Sequence, residues 1–229
     1  MLLGDFFMSL RKTASLAISI FLVTLVTGVA IAKTSTKDSK PQTKKWAIID
    51  GFRSAKFGMD KKKVTRAIAK DFKISARKVK VNIHPTEKTT TLGVTVPKLM
   101  AAGGTAEVTY ILGQKSKQLM QVNVVWGIGV TKDVNNKEVI AIANLLRTHF
   151  IKKRYQEDMF AANAKVSDTL LVVFRGKDKK GRMVVMSLIT PRPKEGEDKK
   201  KTKQKVQLLL SYKLDPASPD VLTIKEGEF

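Results

Sequence analysis

Six stretches of this chain alternate apolar and polar side chains with a period of two, and no other feature narrows its fold so far. They are Thr90–Pro97, Thr105–Leu112, Gln118–Trp126, Asp168–Arg175, Arg182–Thr190 and Lys205–Leu214. Successive side chains of a strand point to opposite faces. Alternation this regular therefore specifies an antiparallel sheet with one buried and one wet face. The buried side collects Leu92, Val94 and Val96, then Ala106, Val108, Tyr110 and Leu112, then Met120, Val122, Val124 and Trp126. Later it collects Leu170, Val172 and Phe174, then Val184, Met186 and Leu188, then Val206, Leu208, Leu210, Tyr212 and Leu214. The wet side carries Thr109, Gln121, Asn123, Gln207, Ser211 and Lys213.

Two helices precede these triplets of strands. Over Lys61–Phe72 the residues Val64, Ala67, Ile68 and Phe72 recur at spacings of three and four, one apolar stripe. Asp60 stands where an N-cap carboxylate accepts a first-turn amide. Over Asn136–Phe150 the stripe is Val139, Ile142, Ala143, Leu146 and Phe150, with Asn135 and Glu138 in capping-box spacing. The fold class expected is α+β, antiparallel, with one helix per half and two αβββ units over residues 46–130 and 131–214. Duplication and convergence both account for the repeat. Helix starts at 61 and 136 and strand starts at 90 and 168, 105 and 182, 118 and 205 keep a common step. The last step is longer because Pro191–Gln204 inserts a charged loop. A three-stranded sheet with one helix buries too little alone, so one continuous domain over 46–214 is expected.

The ends differ from this body. Arg11 and Lys12 precede the uncharged stretch Ala14–Ala32, which closes on the small-x-small triplet Ala30-Ile31-Ala32. That order reads as a signal peptide over residues 1–32, starting at Met1 or Met8 and cut after Ala32. The alternative is an uncut anchor to the inner membrane by residues 14–32. Residues 33–45 read as a flexible basic linker, and 215–229 as an extended tail. The chain is expected outside the cytosol, in the periplasm or extracellular space.

The formal net charge is +23, from 43 Lys and Arg against 20 Asp and Glu. A surplus of this size works against a compact chain through self-repulsion, which makes it a statement about partners. The exposed lysines gather in loops. Lys115 and Lys117 sit in one hairpin, and Lys177, Lys179 and Lys180 in another. Lys199, Lys200, Lys201 and Lys203 lie in the insertion. These are the candidate polyanion-binding residues.

No enzyme signature accompanies them. The absence of cysteine excludes disulfides, thiolate metal sites and a cysteine nucleophile. His84, in Asn82-Ile-His-Pro-Thr-Glu87, reads as a turn residue, and His149 as a partly buried helix residue. No serine elbow, phosphate loop or calcium-loop spacing occurs, and no cofactor or metal is expected. Nucleic acid is not an expected partner, because the strand aromatics Tyr110, Trp126, Phe174 and Tyr212 fall on buried faces. The function expected is that of a non-catalytic, basic envelope protein binding an anionic partner: lipid head groups, an envelope polymer or an acidic protein. The alternative is a protein–protein adaptor using the open polar sheet face. Membrane contact is then peripheral if the signal is cleaved.

The segment Phe57-Gly-Met-Asp-Lys-Lys-Lys-Val-Thr-Arg-Ala-Ile68 resembles the helix-opening segment of two groups of small exported proteins. These are the outer-membrane assembly lipoproteins of the SmpA/OmlA type and the beta-lactamase-inhibitor-protein-like domains. The resemblance covers that segment and the expected strand order. It implies a helix packed on a three-stranded sheet and a binding role without catalysis. The chain departs from both groups: it has no lipid-attachment cysteine and no disulfides.

Overall fold

The computed structural model describes residues 44–101, 103–191, 205–224 and 227–228, and in it all six alternating stretches are strands of one sheet. The sheet has eight antiparallel strands in the order β3-β4-β5-β6-β10-β9-β8-β7. They are β3 (Lys80–Ile83), β4 (Thr90–Val96), β5 (Ala106–Leu112), β6 (Leu119–Gly127), β7 (Ala161–Ser167), β8 (Leu170–Lys177), β9 (Met183–Ile189) and β10 (Gln207–Lys213). A two-stranded ribbon, β1 (Gly51–Phe52) with β2 (Ala55–Lys56), precedes them. The helices are α1 (Lys61–Phe72) and α2 (Asn136–Phe150).

Each half is thus a helix followed by four strands, which corrects the three expected. The additional strands are the two edges. All of β3 is exposed, and β7 is exposed apart from half-buried Ala161. An edge strand without a buried face needs no apolar alternation, so its sequence carries no period-two signal. The halves join where their last strands pair, Gln207 opposite Gly127 through Lys213 opposite Gln121. Gly127 ends β6 at φ 88, and an added Cβ would run into the Val206 carbonyl as the incoming strand passes.

Both helices lie on one side of the sheet and share one core with its inward residues. Trp126, Tyr110, Phe174, Leu208, Leu210 and Met186 are at most 2% exposed there, beside Val64, Ile68 and Ile142 of the helices. Both caps form as expected. The Asp60 carboxylate accepts from the Lys63 amide at 2.8 Å, and Asn135 accepts from the Glu138 amide at 3.4 Å.

Two bulges move side chains from their expected faces. The β8–β9 register shifts between Val172 and Phe174. Leu171 therefore pairs with inward Leu188 and packs on the core, while Val172 pairs with Ser187. The β5–β6 register shifts beside Leu112, and Leu119 takes the fully buried place expected for Met120. Leu214, expected inward, is 39% exposed. A bulge adds one residue and inverts the alternation beyond it, which the pattern alone cannot locate.

Candidate functional site

Sheet register decides where the basic loops go. Strand β10 runs antiparallel to both β6 and β9, and Lys213 at its end stands opposite Gln121 and Met183 near their starts. The β5–β6 turn, with exposed Lys115 and Lys117, and the β8–β9 turn, with exposed Lys179 and Lys180, therefore leave the same end of the sheet. Lys177 is half-buried at the close of β8. Strands β6 and β9 flank β10, so the two turns start about 10 Å apart. That is comparable with the Debye length, about 8–10 Å at 0.15–0.1 M salt, so their fields overlap.

More cations reach this end through α2. The helix runs towards it, and the exposed Lys152, Lys153 and Arg154 follow its last turn. The Gln156 amide then bonds the Lys177 carbonyl at 3.0 Å. The first described residues are held here too. Lys45 and Ala47 bridge to Arg154 through backbone bonds of 2.9 Å, and the Lys44 ammonium donates to the Ile151 carbonyl. Lys44 and Lys45 are consequently bonded, not part of a free linker. Trp46 lies under two cations, the Arg154 guanidinium at 4.7 Å and the Lys179 ammonium at 4.8 Å from its ring centroid.

Two aspartates organise the turns. Asp178 is 1% exposed, and its carboxylate accepts from the amides of Ile49, Lys180 and Arg182 and from the Arg182 guanidinium. Burial pushes this carboxyl up, but the Arg182 hydrogen bond and then the Ile49 and Lys180 amides outweigh it and hold it below its ordinary value. Asp220 performs the same service in the other hairpin, accepting from the Lys115 and Ser116 amides at 2.9 and 2.8 Å. Its carboxyl is also lowered: burial raises it, and the bonds from Ser116 and Lys115 prevail. The tail is therefore docked at this point, and the Leu222 amide adds a bond to the Glu87 carbonyl at 2.9 Å.

The insertion leaves from the other end. Its described flanks are Thr190, bonded to Thr169, and Val206, bonded to Ile128. Lys199, Lys200, Lys201 and Lys203 lie outside the described residues, as do residues 1–32 and most of the linker. Five of the nine candidate lysines thus belong to one end of the sheet, and the described flanks of the insertion, Thr190 and Val206, stand at the other.

The side of the sheet away from the helices is polar at its centre. Asn123 accepts from Gln121 and from the Ser211 hydroxyl, both at 2.8 Å, linking β6 to β10. His84 is a turn residue, its Nδ1 accepting the Glu87 amide at 3.1 Å. His149 is exposed, a correction to the partly buried reading; its ring meets Phe150 edge-on at 5.4 Å. Among the described residues no three His, Asp or Glu gather as metal ligands. No described helix is long and apolar enough to cross a membrane. Trp46, Arg154 and Asp220 were not legible as parts of this end, because each reaches it only through a contact distant in sequence. Comparison with protein-family models, curated proteins and solved structures finds no match to the chain.

Proposed function

We propose that the protein is an exported, non-catalytic binding protein that docks onto an anionic component of the cell envelope through the hairpin end of its sheet. The observation that carries this reading is the convergence of the β5–β6 and β8–β9 turns with the basic exit of α2. Near an anionic membrane each basic residue contributes about 1 kcal/mol, and the attraction fades over a Debye length. Several lysine-tipped turns on one end dock without any pocket. The resemblance of Phe57–Ile68 to small exported binding proteins supports the same non-catalytic class.

The test uses vesicles containing an anionic phospholipid, neutral vesicles, and a soluble acidic envelope polymer. Binding is expected to the anionic partners only, and to vanish from low to high salt. Charge reversal of Lys117, Lys152, Lys153 and Lys180 should weaken it about 100-fold or more. The same reversal of the exposed Lys98, Lys132, Lys137 and Lys205, at the other end, should change it little. Equal binding to neutral vesicles, or equal loss from the two quadruple variants, overturns the reading.

A second reading is favoured by the Gln121–Asn123–Ser211 network on the uncovered face. It makes that face the contact surface for a protein partner. A defined partner retained at high salt, and lost on Asn123→Arg, distinguishes it.

A further inference from the structure

A cleft of 520 Å³ opens on the helix-covered side of the sheet, between α2 and the β1–β2 ribbon. Its size falls within the ~300–1,000 Å³ of small-molecule sites. Trp126 of β6 and Leu210 and Tyr212 of β10 form its floor at the seam between the halves. Phe52, Leu146 and Phe150 form its walls.

The polar groups in this lining are all potential donors, and no carboxylate is among them. The Trp126 indole N–H is buried without a partner. Burial, and then the nearby Tyr155, raise the Tyr212 hydroxyl, so it remains a neutral donor. The imidazole of His149 stands at the rim, exposed.

Arg53 is the remaining member, and it is held in place unusually firmly for an exposed cation. It stands in the two-residue turn of the β1–β2 ribbon with φ 52, a left-handed conformation uncommon outside glycine. Its guanidinium donates to the Leu99 carbonyl at 3.1 Å and the Asp71 carbonyl at 3.4 Å. It also lies 5.0 Å from the Phe72 ring centroid. Among the described residues no carboxylate oxygen forms an ion pair with it; the neighbouring Asp71 carboxylate accepts instead from the Ser54 amide at 2.9 Å. A positioned guanidinium with no direct carboxylate contact, at the lip of an apolar cleft, has the chemistry of a head-group anchor.

We propose that this cleft binds a single-chain anionic amphiphile of the fatty-acid class. The alkyl chain lies over Trp126 and Leu210, and the carboxylate meets Arg53. An uncharged apolar ligand gains nothing from the guanidinium's charge, and a cationic ligand meets no carboxylate in the lining. The site is separate from the lysine turns and does not depend on them.

Sodium palmitate, kept below its aggregation threshold, is titrated into the protein and into Trp46→Phe, where Trp126 is the sole tryptophan. The expected result is a saturable change in Trp126 emission at one ligand per chain, matched by calorimetry. Arg53→Gln should weaken binding about tenfold or more, and Arg53→Lys less. Hexadecanol should bind correspondingly worse than palmitate. Leu146→Trp fills the cleft and should abolish binding; the exposed lip position Leu145→Trp serves if that variant does not fold. The charge-reversed lysine variant should bind palmitate normally, which separates this proposal from vesicle docking. No saturable response, unchanged affinity in Arg53→Gln, or unchanged affinity in the folded tryptophan variant overturns it.

Discussion

Asp178 shows what a single side chain contributes here. It ties the incoming segment at Ile49 to the β8–β9 turn and to Arg182, and it is almost wholly buried. Removing one partner of such a pair leaves the other charge uncompensated. Asp178→Ala should therefore cost about 3 kcal/mol in urea unfolding at neutral pH. The pH dependence follows from the lowered carboxyls. Asp178 and Asp220 titrate below their unfolded values, so their stabilisation is complete above the unfolded pKa of about 3.9. It is lost as pH falls from about 3.9 through the folded values. Unfolding midpoints measured down this range should fall steeply for the wild type and less steeply for Asp178→Asn. Equal slopes would remove Asp178 from the account of acid sensitivity. The sequence announced Asp60 and Asn135 by their place before apolar stripes. It could not announce Asp178, whose partner Ile49 is remote in the chain.

At the scale of elements, legibility followed burial. Helices α1 and α2 and the six inner strands each have one face in the core, so each carries its period in its residues. The edges β3 and β7 carry none, and they became visible only as neighbours of β4 and β8. The same difference predicts their dynamics. Amides of β6 and β10, bonded on both sides at the seam, should exchange with deuterium only on global unfolding. Those of β3 and β7 should exchange far sooner through local opening. Comparable protection at edge and seam would contradict the strand order. The Asp60 cap belongs to this scale as well: Asp60→Ala should lower the urea midpoint, and Asp60→Ser should largely restore it.

For the whole molecule the governing quantity is +23. Many like charges on one chain repel, and salt screens them. Moderate salt should therefore raise the thermal midpoint, even though it weakens individual surface pairs such as Lys165 with Asp168. A midpoint that falls with salt would mean that local ion pairs outweigh the net field. The proposed docking uses the same charge in the opposite sense: salt that stabilises the free protein should release it from an anionic surface.

By itself the sequence determined which segments are helix and which are inner strand, because amphipathic periodicity is a local record of which side of each element leaves water. It also set the amount and sign of charge. Only the tertiary structure decided that the Lys115 and Lys179 turns share an end while the insertion leaves from the other. It also decided that Trp126, Tyr212 and Arg53 meet around one cleft. Those are consequences of strand order and register, which arise from pairings between residues far apart in the chain, and no local pattern encodes the distance between two turns.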